Sequence, residues 1–167
     1  MTTGDAATIR DLSRPIWGTQ VWQVRLNVQH IFQDRGVLEG MDGLWLDFRE
    51  FRPKRELGEG HRSVASLYIN LRNCGARLEQ HGVPVVMSGD PSARVLGEVQ
   101  RLVGIRLVDV EVKPPGGETL LRFDSALVLS CFPAVSREGD SWVLNTDLGD
   151  VLKLGPGPRM TYISGRR

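Results

Sequence analysis

From Ile105 to the end of the chain, short apolar-alternating runs are cut apart by turn sequences too brief to hold a crossover connection. Ile105 to Val112, Glu118 to Phe123, Ala126 to Phe132, Trp142 to Asn145, Val151 to Leu154 and a terminal run around Met160 to Ile163 read as strands. Between them stand Pro114-Pro115-Gly116-Gly117, Asp124-Ser125, Arg137-Glu138-Gly139-Asp140, Asp147-Leu148-Gly149-Asp150 and Gly155-Pro156-Gly157-Pro158. A parallel neighbour needs a connection of about a dozen residues or more, so strands joined this closely are expected to pair antiparallel.

Upstream, the same period of two returns. Trp22, Val24, Leu26, Val28 and Phe32 are apolar while Gln23, Arg25, Asn27 and Gln29 are not, which predicts one long half-buried strand with Trp22 on its core face. Gln33 to Gly43, with Asp34, Gly36, Gly40 and Asp42, reads as a loop. Leu44, Leu46 and Phe48 then alternate with Trp45, Asp47 and Arg49 in a second strand. Arg49 to Arg62 is densely charged and has no apolar period, so it reads as a connection. Val64 to Leu71 resumes as a strand with Leu67, Ile69 and Leu71 on one face. Asn73-Cys74-Gly75 is expected to turn it back through Ala76 to Gln80 as a hairpin. Before all of these, Met1 to Asp5 is small and polar, and Ala6 to Leu12 has room for one helical turn or a short strand ahead of Pro15.

One segment has a helical period instead. Asp90 is placed as N-cap, Pro91 at the first helical position, and Val95, Leu96, Val99, Leu102 and Val103 share a face, with Gly104 as the stop. Arg94, Glu98 and Arg101 fall on the other face, spaced for ion pairs worth a few tenths of a kcal/mol. A solvated surface is the plain reading of that face.

Two stretches 86 positions apart also read alike, Ile16-Trp17-Gly18-Thr19-Gln20-Val21-Trp22-Gln23-Val24-Arg25-Leu26 and Leu102-Val103-Gly104-Ile105-Arg106-Leu107-Val108-Asp109-Val110-Glu111-Val112. Both fit apolar-x-Gly-x-x-apolar-x-x-Val-x-apolar, and each leads into a strand, which points to two related β-rich halves. The expected fold is therefore a single α+β domain over residues 1–167. It is predominantly antiparallel, in two layers or a partly open barrel, with one main helix near 91–103.

Chemistry is sparse. With 167 residues the chain buries a sizeable core without metal or disulfide support. Its net charge of +1 lacks the excess expected of a dedicated nucleic-acid or anionic-membrane binder. Eighteen of the 21 basic residues are Arg, a bias that a GC-rich coding genome explains more readily than contact chemistry does. Cys74 and Cys131 have neither CxxC spacing nor a nearby His and are expected to be reduced thiols. No secretory leader pattern is visible, so the cytoplasm is the expected location, and no apolar run approaches the ~18 residues of a membrane span. GxSxG, P-loop, HExxH and GxGxxG motifs are missing, and Gly155-Pro156-Gly157-Pro158 has Pro where phosphate-binding N–H groups would be needed. His30, His61 and His81 carry no local partner motif, and His30 follows the apolar parity of its strand, as a packed histidine does. Glu56, Glu59 and His61 offer oxygen and nitrogen donors in the charged connection. Solvated loops of this composition far outnumber metal sites, because loose ligands lose their ordering entropy when metal arrives.

The residues Leu102-x-Gly104, Leu121-x-Phe123, Leu127-x-Leu129, Trp142-x-Leu144 and Gly155-Pro156-Gly157 together resemble a family of small uncharacterised bacterial proteins over residues 102–157; Leu67-Tyr68-Ile69 followed by Cys74 is a looser match. The resemblance implies a standalone α+β domain of no established activity. Similar small proteins stand beside secreted toxins as immunity proteins, an analogy of fold.

The expected function is a cytoplasmic protein-binding module that is not an enzyme and uses no cofactor or metal, with a cognate toxin as its most specific partner. The candidate contact residues are Arg49, Arg52 and Arg55, which can pair bidentately with a partner's carboxylates, together with Trp45 and Trp17 as the tryptophans placed for exposure. Trp142, like Trp22, is assigned to the core. A small-ligand binder or enzyme with a cavity in the sheet is the alternative, and a nucleic-acid binder the third reading. Homo-oligomerisation is left open, and no membrane is expected as a partner.

Overall fold

The structure is a computed structural model that describes residues 11, 13–33, 36–48, 67–72, 74–113, 117–133, 140–146, 149–155 and 159–164. In chain order these form β1 (Gln23–Gln33), β2 (Gly36–Asp47), β3 (Tyr68–Arg72), β4 (Cys74–Gln80), β5 (Val83–Met87), α1 (Ser92–Val99), β6 (Leu107–Lys113), β7 (Glu118–Phe123), β8 (Leu127–Pro133), β9 (Trp142–Asn145), β10 (Val151–Leu154) and β11 (Met160–Ile163). Short 3-10 turns, Arg14–Ile16 and Gln100–Leu102, stand before β1 and β6.

The strands make two sheets, ordered β1-β2-β3-β9-β10-β11 and β5-β4-β8-β7-β6, and every neighbouring pair is antiparallel. This is the α+β, two-layer arrangement expected from the turns; it is not a closed barrel. Period-two alternation gives each sheet one apolar face, and these faces are buried in a single core. Leu44, Leu46, Ile69, Leu71, Leu144 and Leu152 of the first sheet join Leu78, Val110, Leu121, Leu129 and Cys131 of the second. Each fully buried Leu or Ile contributes about 1.5–3 kcal/mol relative to an exposed one. Trp142 lies in this core, as expected, and its Nε1 donates a 2.7 Å hydrogen bond across the layers to Thr119 Oγ1.

The two halves of the chain are interleaved. β1, β2 and β3 sit consecutively in the first sheet, after which the chain crosses so that β4 and β5 complete the second. β6, β7 and β8 repeat this in the second sheet, and β9 and β10 cross back. Each crossing strand lies against the third strand of the other half, β4 on β8 and β9 on β3.

The two similar stretches meet where the halves join. Gly18 N–H donates to Leu107 C=O at 2.7 Å and Leu107 N–H to Thr19 C=O at 3.0 Å; Gly104 N–H donates to Val21 C=O at 2.8 Å and Val21 N–H to Ile105 C=O at 2.9 Å. Exchanging each residue for its counterpart 86 positions away turns the first pair of bonds into the second. The local geometry repeats too. A 3-10 turn, an extended residue (Trp17, Val103) and a left-handed glycine (Gly18 φ 77°, Gly104 φ 83°) come in the same order in both copies. Ile16 and Leu102 are wholly buried, as are Val21 and Leu107. Residues 18–21 thus extend the second sheet beyond β6 before the chain bends into β1, joining the layers along one side. In the strand orders β1 and β11 are the edges of the first sheet, and β5 and β6 those of the second.

Several expectations are corrected. Gln33 to Gly43 is not a loop, because β2 starts at Gly36 and pairs with β1 from Gln33↔Gly36 onward, with a bulge at Asn27/Val28. Ladder bonds to β1 outweigh the weak strand propensity of its Gly and Asp residues. β3 and β4 do not form a hairpin; between Arg72 and Cys74 the chain passes from one sheet to the other. β5 has no counterpart among the expected strands, yet Gln80 faces Val83 across His81-Gly82, whose φ values of 52° and 76° suit a two-residue hairpin turn. Pro84 is tolerated because β5 is an edge strand. The helix is shorter than expected, beginning one residue later at Ser92 and giving way after Val99 to the 3-10 turn Gln100–Leu102. Pro91 holds the N-cap position, while the Asp90 carboxylate accepts the Met87 N–H at 2.9 Å in the preceding turn. Val95, Val99 and Leu102 are buried as expected, but Leu96 and Val103 are exposed, so the apolar stripe is narrower than the spacing implies. Glu98 accepts a hydrogen bond from Arg101 at 2.7 Å, whereas Arg94 turns to Asp90 and to the Val85 carbonyl. Residues 1–10, where a turn or strand is expected, lie outside the described residues.

Candidate partner-binding surface

Where the halves join, the outer surface carries an exposed tryptophan. In residues 18–21 the inward side chain is Val21; in β1 it is Val24. An odd and an even position both point inward, so the alternation slips once at Trp22-Gln23, where the strand leaves one sheet for the other. That slip turns Trp22 outward, with 54% of its surface exposed, and corrects its assignment to the core. The second copy slips at the matching place. β6 is bulged between Leu107 and Asp109, and Val108 is 43% exposed. Gln20 bridges Arg106 antiparallel, with Gly104 bonded to Val21 and Gly18 bonded to Leu107, the residues next to Trp22 and Val108 in the chain. Neither glycine has an atom within 4 Å of where a Cβ would stand, so nothing covers them. Arg106 and Val103 are exposed beside them, and Arg106 makes no ion pair among the described residues.

A second cluster lies on the outer face of the first sheet. Asp47 on β2 accepts a two-pronged hydrogen bond from Arg25 on β1, at 2.9 and 3.1 Å. The Arg25 guanidinium also stands 5.9 Å from the centroid of the Trp45 ring. Trp45 in turn leans over Gly43, two residues back on the same strand, where a Cβ would come within 2.9 Å of its ring. The indole therefore lies flat and half-buried rather than projecting, and is held there by stacking with Arg25. Arg25 is half exposed, so its pair with Asp47 contributes at most about 1 kcal/mol.

The expected contact residues fare differently. Arg49, Arg52 and Arg55 lie outside the described residues, as do Glu56, Glu59 and His61. Their connection is nevertheless anchored beside Trp22. Phe48 and Leu67, at its two flanks, share a 2.9 Å backbone bond, and Trp22 N–H donates to Asp47 C=O at 2.6 Å. Trp45 belongs to the sheet-face cluster, and Trp17 is partly buried against the core. Sequence reasoning alone misses Trp22, Val108 and Arg106. The repeated glycine pattern is the available signal, since it marks both positions where the alternation is interrupted.

The other groups sit apart from this surface. His81 is exposed in the β4–β5 turn, and the His30 side chain is outside the described residues. Cys74 and Cys131 are both free thiols, as expected. A hydrogen bond with the Cys74 thiol, burial and the nearness of that thiol's charge push the Cys131 thiol far up from its ordinary range. Among the described residues no group of three or more His, Cys, Asp or Glu is placed to hold a metal ion. The space between the sheets beside Trp142, Leu121 and Leu144 has no room for a water. The gap under α1, against Leu78, Val86 and Val95, is about 10 Å³, enough for one water at most. No helix among the described residues is long and apolar enough to cross a membrane.

The fold and this surface define a two-layer α+β protein of interleaved halves with an open aromatic and arginine-bearing join. No family description, curated protein or solved structure matches the chain.

Proposed function

We propose that this protein is a protein-binding module whose contact surface is centred on Trp22 and Arg106. The observation that carries the reading is Trp22 itself, half exposed on a well-packed scaffold, with Val103 and Val108 also exposed along the join of the halves. Tryptophan and arginine dominate binding hot spots because each combines a large contact area with a directional polar group. Phe48 and Leu67, which flank the charged Arg49 to Arg62 connection, pair close to Trp22, and in this reading Arg52 and Arg55 act as charged contributors to the same contact. In its narrowest form the reading is a cytoplasmic immunity protein that masks a cognate toxin.

The test compares the immobilised protein with its Trp22→Ala, Arg106→Glu and Arg52→Glu/Arg55→Glu variants in capturing a partner from the source cell's lysate. Arg159→Glu, at the far edge of the first sheet, serves as control. Trp22→Ala is expected to weaken binding of the recovered partner by ten-fold or more, about 1.4 kcal/mol. The Arg52/Arg55 double variant should chiefly slow association, with a loss that shrinks as salt is raised. Equal capture by all variants would remove this surface from the function. A steep salt slope on nucleic acid without a protein partner would replace the reading by nucleic-acid binding.

A further inference from the structure

Cys74 and Cys131 come from different halves of the chain and meet in the core. β4 and β8 pair with Cys74 opposite Pro133 and Ala76 opposite Cys131, so the two cysteines are diagonal neighbours with the same inward parity. The Cys74 thiol is near enough to Cys131 to help, with burial, push the Cys131 thiol up from its ordinary range. The pair differs in access, since Cys131 is wholly buried and Cys74 is partly exposed at the point where the chain enters the second sheet. From this geometry we infer that Cys74 and Cys131 form a dithiol oxidation site, which a peroxide converts into a disulfide joining β4 to β8.

In the first step the Cys74 thiolate attacks one peroxide oxygen; an S–O bond forms, the O–O bond breaks, and the departing hydroxide takes up the thiol proton as water. The Cys131 sulfur then attacks the Cys74 sulfenic sulfur, forming the S–S bond and breaking S–O. The leaving hydroxide takes the Cys131 proton as a second water. Two thiols are thereby oxidised and one peroxide is reduced. Cys74 reacts first because the oxidant can reach it, whereas burial keeps Cys131 protonated until a sulfenic sulfur stands beside it. The new bond ties the crossing strand of the first half to the third strand of the second, closing a long loop and restricting the unfolded chain.

The folded wild-type protein is treated with hydrogen peroxide, then unfolded, alkylated and digested. The expected result is loss of both titratable thiols, a mass lower by about two hydrogens, a Cys74–Cys131 linked peptide and a higher melting midpoint that dithiothreitol reverses. Cys131→Ala should instead leave a Cys74 sulfenic acid that dimedone captures, and Cys74→Ala should leave Cys131 unmodified. Two thiols surviving in the folded protein, or disulfides only between chains, would overturn the assignment. The chemistry does not depend on the Trp22 surface, so its failure would leave the proposed function standing.

Discussion

Thr119 occupies a position on β7 where a strand facing an apolar core would ordinarily carry Val, and it is almost wholly buried. Its hydroxyl accepts the Trp142 indole N–H at 2.7 Å and donates to the Gly117 carbonyl at 3.2 Å. The indole has no water to turn to, since the surrounding space is filled. Thr119→Val keeps the shape and strands the indole donor. It should therefore cost about 1–3 kcal/mol, the penalty for leaving a buried polar group unpaired. A thermal or urea melt measures this; an unchanged midpoint would mean that Trp142 finds another acceptor. Trp22 illustrates the opposite situation at the same scale. Its type says core, but one slipped residue in the backbone places it in solvent.

At the scale of elements, the two bends carry the architecture. Gly18 and Gly104 both hold positive φ, and each has open space where a Cβ would stand, so substitution meets backbone strain and no steric clash. Gly18→Ala and Gly104→Ala should each destabilise by about 1–2 kcal/mol and by similar amounts, measured as shifts in the urea midpoint at constant slope. A large cost at one and none at the other would show that the halves do not share the load equally. Other elements are legible in the amino-acid sequence. β7, β9, β10 and β11 match the alternating runs because each run is short, apolar on one side and bounded by turn residues. β5 and the start of β2 are hidden, one behind a His-Gly turn and the other behind glycines. In both cases cross-strand bonds, which local propensity does not record, decide the outcome. Asp90 shows the same limit at the helix start. An Asp before Pro fits a cap by spacing, but a tight turn recruits its carboxylate to the Met87 N–H.

For the whole molecule, interleaving makes each half depend on the other. Removing β4 and β5 would strip the second sheet of its covering strands at β8, and removing β9 to β11 would expose β3. These pairings join distant segments, so their closure entropy must be met before they stabilise anything. Residues 1–88 and 89–167 expressed separately should therefore remain largely unfolded, and mixing them should restore native-like strand content by circular dichroism with sharp tryptophan fluorescence. A stable fold in either fragment alone would show that the halves are autonomous.

The sequence determined what nearest neighbours along a chain can determine: antiparallel strands from short turns, the buried faces of β2 and β3 from their alternation, a helix near 91–103 of which Ser92–Val99 is α-helical, and the likeness of two stretches 86 positions apart. It also left the charged connection with Arg49, Arg52 and Arg55 as a candidate contact. Only the tertiary structure decided that the similar stretches hydrogen-bond to each other, that β4 and β9 exchange sheets, and that Trp22 rather than Trp17 is the exposed indole. The reason is physical. Alternation fixes the face of a side chain only while the strand stays in one sheet, and at Trp22 the strand changes sheets, so the parity is reset by packing between halves that no local pattern encodes.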